Sequence, residues 1–176
     1  MKQRIHILGL ILFLGWVSVV NAQTKIGYTN VELLMAYMPE VKSANSALNT
    51  YEADLSKTLQ TKQTTYQAKL QEYYKLKESG MTQEEDQRRV KEIQALEQEI
   101  QKGAQEAEQK MMVRQQELLA PITTKIQEKI DEVAREGNFT YIINNTVGNG
   151  VPTILYGLET MNVTDLIAAK LGISVE

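Results

Sequence analysis

From Glu40 to Glu78 no proline or glycine interrupts the chain. A polar stretch of that length, rich in Gln, Lys, Glu and Thr, has one regular conformation open to it, a long helix. Apolar positions recur at Leu48, Tyr51, Leu55, Leu59, Tyr66, Leu70, Tyr73 and the stem of Lys77, mostly in steps of three and four. That spacing makes a narrow stripe of the coiled-coil kind. At 1.5 Å per residue the helix would be roughly 60 Å long. So thin a stripe is unstable alone and needs a partner helix to cover it.

The partner follows at once. Ser79-Gly80-Met81-Thr82 supplies a turn, with Gly80 suited to the left-handed conformation that ends a helix. Thr82 and Glu85 form a T-x-x-E capping box that starts the next. The second helix is predicted from Gln83 to about Arg135, with its stripe at Val90, Ile93, Leu96, Ile100, Ala104, Ala107, Met111 and Leu118 and a break at Glu97. A turn this short forces an antiparallel pair. Gly103 should weaken the returning helix and Pro121 should kink it. Beyond Pro121, the residues Ile122, Ile126, Ile130 and Val133 form a richer apolar face, so the base of the arm is expected to enter a true core.

Strand signals lie at both ends of the chain. Lys25 to Val31 alternates apolar and polar residues, and Asn30 can cap a short helix bearing Leu33, Leu34 and Tyr37. Pro39 suits the first turn of the long helix. After Gly137, Phe139 to Asn144 reads as a strand with Phe139, Tyr141 and Ile143 on one face. Asn145 to Gly150 is a loop, and Val151 to Tyr156 a second strand beginning at an edge because of Pro152. Asn162 can cap a last helix over Val163–Lys170, closed by Gly172 and carrying Leu166, Ile167, Ala168 and Leu171. The fold class is therefore α+β: a helical hairpin arm over residues 39–136, its tip near 79–82, inserted in a small β body made of residues 25–38 and 137–176. A body this small buries little apolar area, and association of several bodies is the usual remedy.

The first stretch has the pattern of an export signal. Lys2 and Arg4 precede the apolar run Ile5–Val20, and Val20 and Ala22 offer small residues for cleavage after Ala22. Residues 23–176 then form a single domain. The chain holds 19 basic and 22 acidic residues. Loss of Lys2 and Arg4 leaves a net charge of −5, which argues against nucleic acid as a partner. Cysteine is absent and the one histidine, His6, lies in the signal. Common nucleophile–base pairs and most zinc sites are thereby excluded, and no G-x-x-x-x-G-K-[ST] loop is present. No enzyme, cofactor or metal is expected. The acidic runs Glu84-Glu85-Asp86 and Glu97 to Glu99 read as solvated helix faces. The N-x-T triplets at Asn138, Asn144 and Asn162 read as turn and cap chemistry.

Three features together resemble the Skp/OmpH family: the segment Ile26-Gly27-Tyr28-Thr29-Asn30 leading to Pro39-Glu40, the Gln/Lys/Glu-rich hairpin, and the ending Tyr141-Ile142-Ile143, Thr153-Ile154-Leu155-Tyr156, Asn162-Val163-Thr164-Asp165-Leu166. The resemblance covers essentially the whole mature chain. It implies a periplasmic homotrimer of "jellyfish" shape, its arms holding unfolded outer-membrane β-barrel proteins on their way to the outer membrane. Well-known members have lysine-rich arms. Here Lys75, Lys77, Arg88, Arg89 and Lys91 near the tip are matched by Glu72, Glu78, Glu84, Glu85, Asp86 and Glu92, which speaks against membrane contact.

The expected function is an ATP-independent holdase whose many weak contacts add up through multivalency. The alternative is a structural or adaptor hairpin of the cell envelope that bridges fixed partners. Tyr51, Tyr66 and Tyr73 fall on the stripe and are expected in the seam, as is Met111. Tyr74 and Met112 fall off it and are the candidate client-contacting residues.

Overall fold

In a computed structural model, which describes residues 24–148 and 150–175, strand β1 (Ile26–Thr29) leads to helix α1 (Val31–Tyr37) and then to the long helices α2 (Pro39–Glu78) and α3 (Gln83–Glu136). Strands β2 (Tyr141–Asn144), β3 (Thr146–Val147) and β4 (Val151–Pro152), a 3₁₀ turn at Glu159–Met161 and helix α4 (Thr164–Leu171) complete the order. The export signal and its cut after Ala22 lie outside the described residues.

Each helix begins where a side chain or a proline replaces missing backbone partners. Asn30 Oδ1 accepts from Leu33 N at 2.8 Å to start α1. Pro39 opens α2, where its lack of an N–H costs nothing. Thr82 Oγ1 accepts from Glu85 N at 3.2 Å to start α3, although Glu85 turns its own carboxylate to Arg88 and Arg89 rather than back to the cap. Asn162 Oδ1 accepts from Thr164 N at 3.1 Å at the head of α4. Gly172 closes α4 with φ 74°, a left-handed position that a side chain would strain. At the far end of α3 the left-handed residue is Asn138, φ 52°, while Gly137 stays right-handed.

β1 and β2 pair in parallel, Ile26 beside Tyr141 and Thr29 beside Asn144, so the two ends of the hairpin are stitched together at its root. On the other side of β1, Val163 N donates to Tyr28 O at 2.9 Å. Side chains reinforce the join. Thr164 Oγ1 accepts from Asn30 N, Asn144 Oδ1 accepts from Val31 N, and Lys25 Nζ donates to Gly137 O at 2.7 Å while lying over the Phe139 ring. That ammonium sits at the C-terminal end of α3, where the helix dipole favours a cation. All three N-x-T asparagines thus serve a turn or a cap.

The core lies under this junction. Leu34, Met38, Ile122, Ile126, Val133, Val163, Ile167 and Ala168 are each at most 5 % exposed and form one cluster. Lys170 ties α4 to α3 through Glu132 at 3.4 Å and Glu136 at 2.8 Å. Above the core the arm narrows to a seam. Leu48, Tyr51, Leu55, Leu59, Tyr66 and Leu70 are half-buried, as are Val90, Ile93, Leu96 and Ile100. Cross-arm pairs Lys62–Glu99, Lys69–Glu92 and Arg89–Glu72, at 3.0 to 3.2 Å, hold the antiparallel register.

Three expectations are corrected. Ala104 is exposed, and Gly103 takes its place in the seam; a Cβ there would lie 3.1 Å from Leu59 Cδ2, so the helices approach closely at this level. The strand expected over Val151–Tyr156 stops at Pro152: it pairs with β3 in a short hairpin, Thr153 N still donates to Asn145 O at 2.8 Å, and beyond that no strand pairs with it among the described residues. Phe139 leaves the strand face it was expected to share with Tyr141 and Ile143: β2 starts at Tyr141, and the ring packs against Gly27 and Gly137, close to where their Cβ atoms would be. Helix α3 runs on through Pro121.

Truncating the core and the cap should separate their contributions. Ile126→Ala is expected to cost about 2–5 kcal/mol by emptying a filled core site. Asn30→Ala should cost about 1 kcal/mol. Both are read from chemical denaturation at one fixed protein concentration, and Leu59→Ala in the half-exposed seam should cost less than Ile126→Ala.

Candidate functional site: the arm surface and the uncovered face of the body

No group of three or more His, Cys, Asp or Glu side chains able to hold a metal ion occurs among the described residues. No described helix is long and apolar enough to cross a membrane. The surface is described by where apolar side chains meet solvent.

On the arm few of them do. Tyr74, Met112 and Val113 are the large apolar side chains of the arm that stand exposed, at 56 %, 65 % and 56 %. The stripe explains this. Tyr73 turns into the seam and is 8 % exposed, which sends Tyr74, one residue on, outward; the two rings lie 5.5 Å apart. Met111 is likewise half-buried and Met112 outward. The two candidates are not brought together. Tyr73 faces Asp86, and Met112 lies 26 residues further along α3 than Asp86, roughly 39 Å away. Val113, absent from the candidate contact residues, stands beside Met112 and lines a hollow with Tyr51 and Arg114. Its signal was available: like Met112 it falls off the stripe, between Met111 and Leu118.

At the arm's base a groove of about 640 Å³ opens between Pro39, Ala44 and Ala47 on α2 and Leu118, Pro121 and Ile122 on α3. Small alanines opposite a proline ring leave the gap. Lys125 Nζ and Glu40 Oε1 meet across its rim at 2.5 Å, and that bond with Lys125 holds the Glu40 carboxyl below the usual glutamate range.

The body carries most of the uncovered apolar surface. Ile26, Tyr141 and Ile143 point from the same face of the β1–β2 sheet and are 46 %, 61 % and 43 % exposed. Tyr28 shares that face, and its ring lies against Gly157, too close for a Cβ. The segment after β4 therefore runs over the same face, with Leu155 92 % and Tyr156 84 % exposed. Alternation along the strands was legible in the sequence. How far the segment after β4 would leave that face exposed was not, because the strand expected over Val151–Tyr156 ends at Pro152.

Methionine oxidation reports this arrangement directly. With dilute peroxide, Met112 should be converted to the sulfoxide well before Met38, which is 1 % exposed. Peptide mass spectrometry measures both rates, and equal rates would contradict the packing.

The family model for outer membrane protein (OmpH-like) matches residues 25–171. A solved structure from Caulobacter crescentus CB15, provisionally described as an OmpH-like outer membrane chaperone, shares the fold with a TM-score of 0.69 at 14 % identity, the match covering 85 % of each chain. No curated protein matches.

Proposed function

The chain belongs to the OmpH-like outer membrane protein family, and from that premise we propose that it is an ATP-independent periplasmic holdase chaperone. It captures unfolded outer-membrane β-barrel proteins and keeps them from aggregating until they reach the outer membrane. The exported form is residues 23–176, cleaved after Ala22, and acts as a single unit. It works without cofactor or catalysis.

The observation that carries the reading is the division of surface just described: a long polar arm with isolated exposed side chains, on a body whose β1–β2 face leaves Ile26, Tyr141 and Ile143 part-exposed. An uncovered sheet face with Leu155 and Tyr156 almost fully in solvent is what an interface between copies needs. Association of the bodies, as a homotrimer, supports three arms around a common space. Inside that space each arm offers few and weak contacts, Tyr74, Met112 and Val113 among them. A client touching several arms is then held by the sum of contacts with no specific pocket, and leaves without fuel when its folding site competes better. The base groove, apolar and shallow, adds to the same surface.

The test dilutes a urea-unfolded outer-membrane barrel protein into buffer with and without residues 23–176 and follows light scattering. Suppression near one oligomer per client, without nucleotide, is expected. An intact helical oligomer that suppresses nothing would sink the reading and favour an adaptor for a folded partner. Two sets of variants divide the roles. Leu155→Asp with Tyr156→Asp should lower the oligomer's mass in sedimentation. Tyr74→Ala with Met112→Ala should leave the mass unchanged and weaken capture by a few-fold, as expected for one of many contacts.

A further inference from the structure

The turn at the tip of the arm has little apolar packing to hold it. It is closed by a triangle of polar groups. Tyr73 Oη accepts from Lys77 Nζ at 2.6 Å and donates to Asp86 at 2.9 Å, and Lys77 Nζ stands 3.3 Å from the same carboxylate. Lys77 also lies over the Tyr73 ring, 5.0 Å from its centre. Lys77 is in the last turn of α2 and Asp86 in the first turn of α3. Each charge thus sits at the helix end whose dipole favours it. Two charge-assisted bonds and one buried ring join the helices on either side of Ser79–Thr82.

We propose that the Tyr73–Lys77–Asp86 triangle is a charge-operated latch: closed, it keeps the Tyr73 ring out of water; opened by salt or acid, it frees the tip and exposes the Tyr73 ring, which with the neighbouring Tyr74 makes a two-ring aromatic contact for apolar segments of an unfolded chain. The contact role rests on the holdase reading; the latch itself does not. Its setting makes it sensitive. Around the triangle, α2 presents Lys69 and Glu72 and α3 presents Glu85, Arg89 and Glu92. Apart from the part-buried Arg89, these are surface groups, whose pairing salt screens over a distance that shrinks to about 3 Å at 1 M.

Acid acts through the carboxylates. The hydrogen bond from Tyr73, then Lys77, holds the Asp86 carboxyl below the usual aspartate range, and Lys69 does the same for Glu92. A carboxylate with a lowered value contributes stability at neutral pH that is lost as pH falls through its own titration. Lys77, raised first by its bond with Tyr73, loses its contribution only above the usual lysine range. At neutral pH the latch is closed, and acid below the ordinary carboxylate range opens it.

Hydrogen exchange followed by mass spectrometry on the full mature oligomer tests this. Raising NaCl from low salt to 1 M should cut protection of amides across residues 74–90 by about tenfold, with amides at 122–133 unchanged. Tyr73→Phe keeps the ring and removes the hydroxyl; Asp86→Asn removes the charge. Both should start with lowered tip protection; Asp86→Asn should respond little to salt, and Tyr73→Phe, which keeps the Lys77–Asp86 pair, should respond less than wild type. Tip protection indifferent to salt, or identical in Tyr73→Phe and wild type, would overturn the latch whatever the protein does with clients. Loss of client capture with the salt response intact would instead refute the holdase reading alone.

Discussion

Two strands separated by the whole hairpin lie side by side at its root, and everything else follows from that join. β1 and β2 contribute four residues each, paired in parallel. So short a pairing could not stand by itself. It holds because the returning helix must end where the outgoing one began. The polar atoms of Asn30, Asn144 and Thr164 then satisfy the helix and strand ends that meet there. Beneath them α4 presses Ile167, Ala168 and Leu171 onto the base of α3. Break the join and the arm has no fixed origin.

From that root outward the kind of cohesion changes. The base is held by a packed apolar cluster. The middle is held by a half-buried stripe one residue wide, with Gly103 letting Leu59 close the gap. The tip is held by charges and one tyrosine hydroxyl. Apolar packing has no charge for salt to screen or protons to neutralise, and charge pairing has. The arm is therefore most constant where it joins the body and most responsive where it ends. A hairpin that must admit chains of different bulk gains from that order, since its opening end can yield without loosening the body.

Much of this was legible in the residues because helices announce themselves locally. The span from Pro39 to Glu78 and the assignment of Tyr73 inward and Tyr74 outward come from spacing of three and four, and the turn at Gly80 and the Thr82 cap from the chemistry of helix ends. What escaped was decided at a distance. Gly103 rather than Ala104 lies in the seam because the register is set by the partner helix, and a glycine carries no apolar signal to count. Met112 and Tyr74 look equivalent along the sequence yet lie far apart on the arm. The segment from Thr153 to Tyr156 has the composition of a strand, but a strand needs a neighbour. The described residues supply none beyond Pro152, and Leu155 and Tyr156 stand in solvent beside the face of β1 and β2.

The two arm helices also differ in a way that bears on shape. Along α2 the hydroxyls of Ser43, Thr50, Thr58, Thr61, Thr64 and Thr65 each donate to the carbonyl four residues back. Such bonds compete with the helix ladder and favour bending. The facing stretch of α3, from Gln83 to Ala120, contains no serine or threonine at all. The next hydroxyls, Thr123 and Thr124, both donate to Ala120 O, immediately before Pro121, where a backbone donor is missing. The outgoing helix thus carries its tendency to bend along the arm, and the returning helix concentrates its own at the base. Helices paired along one seam cannot bend separately. The compliant α2 follows α3, and the seam's thinness, with Gly103 at its middle, limits the strain that following creates.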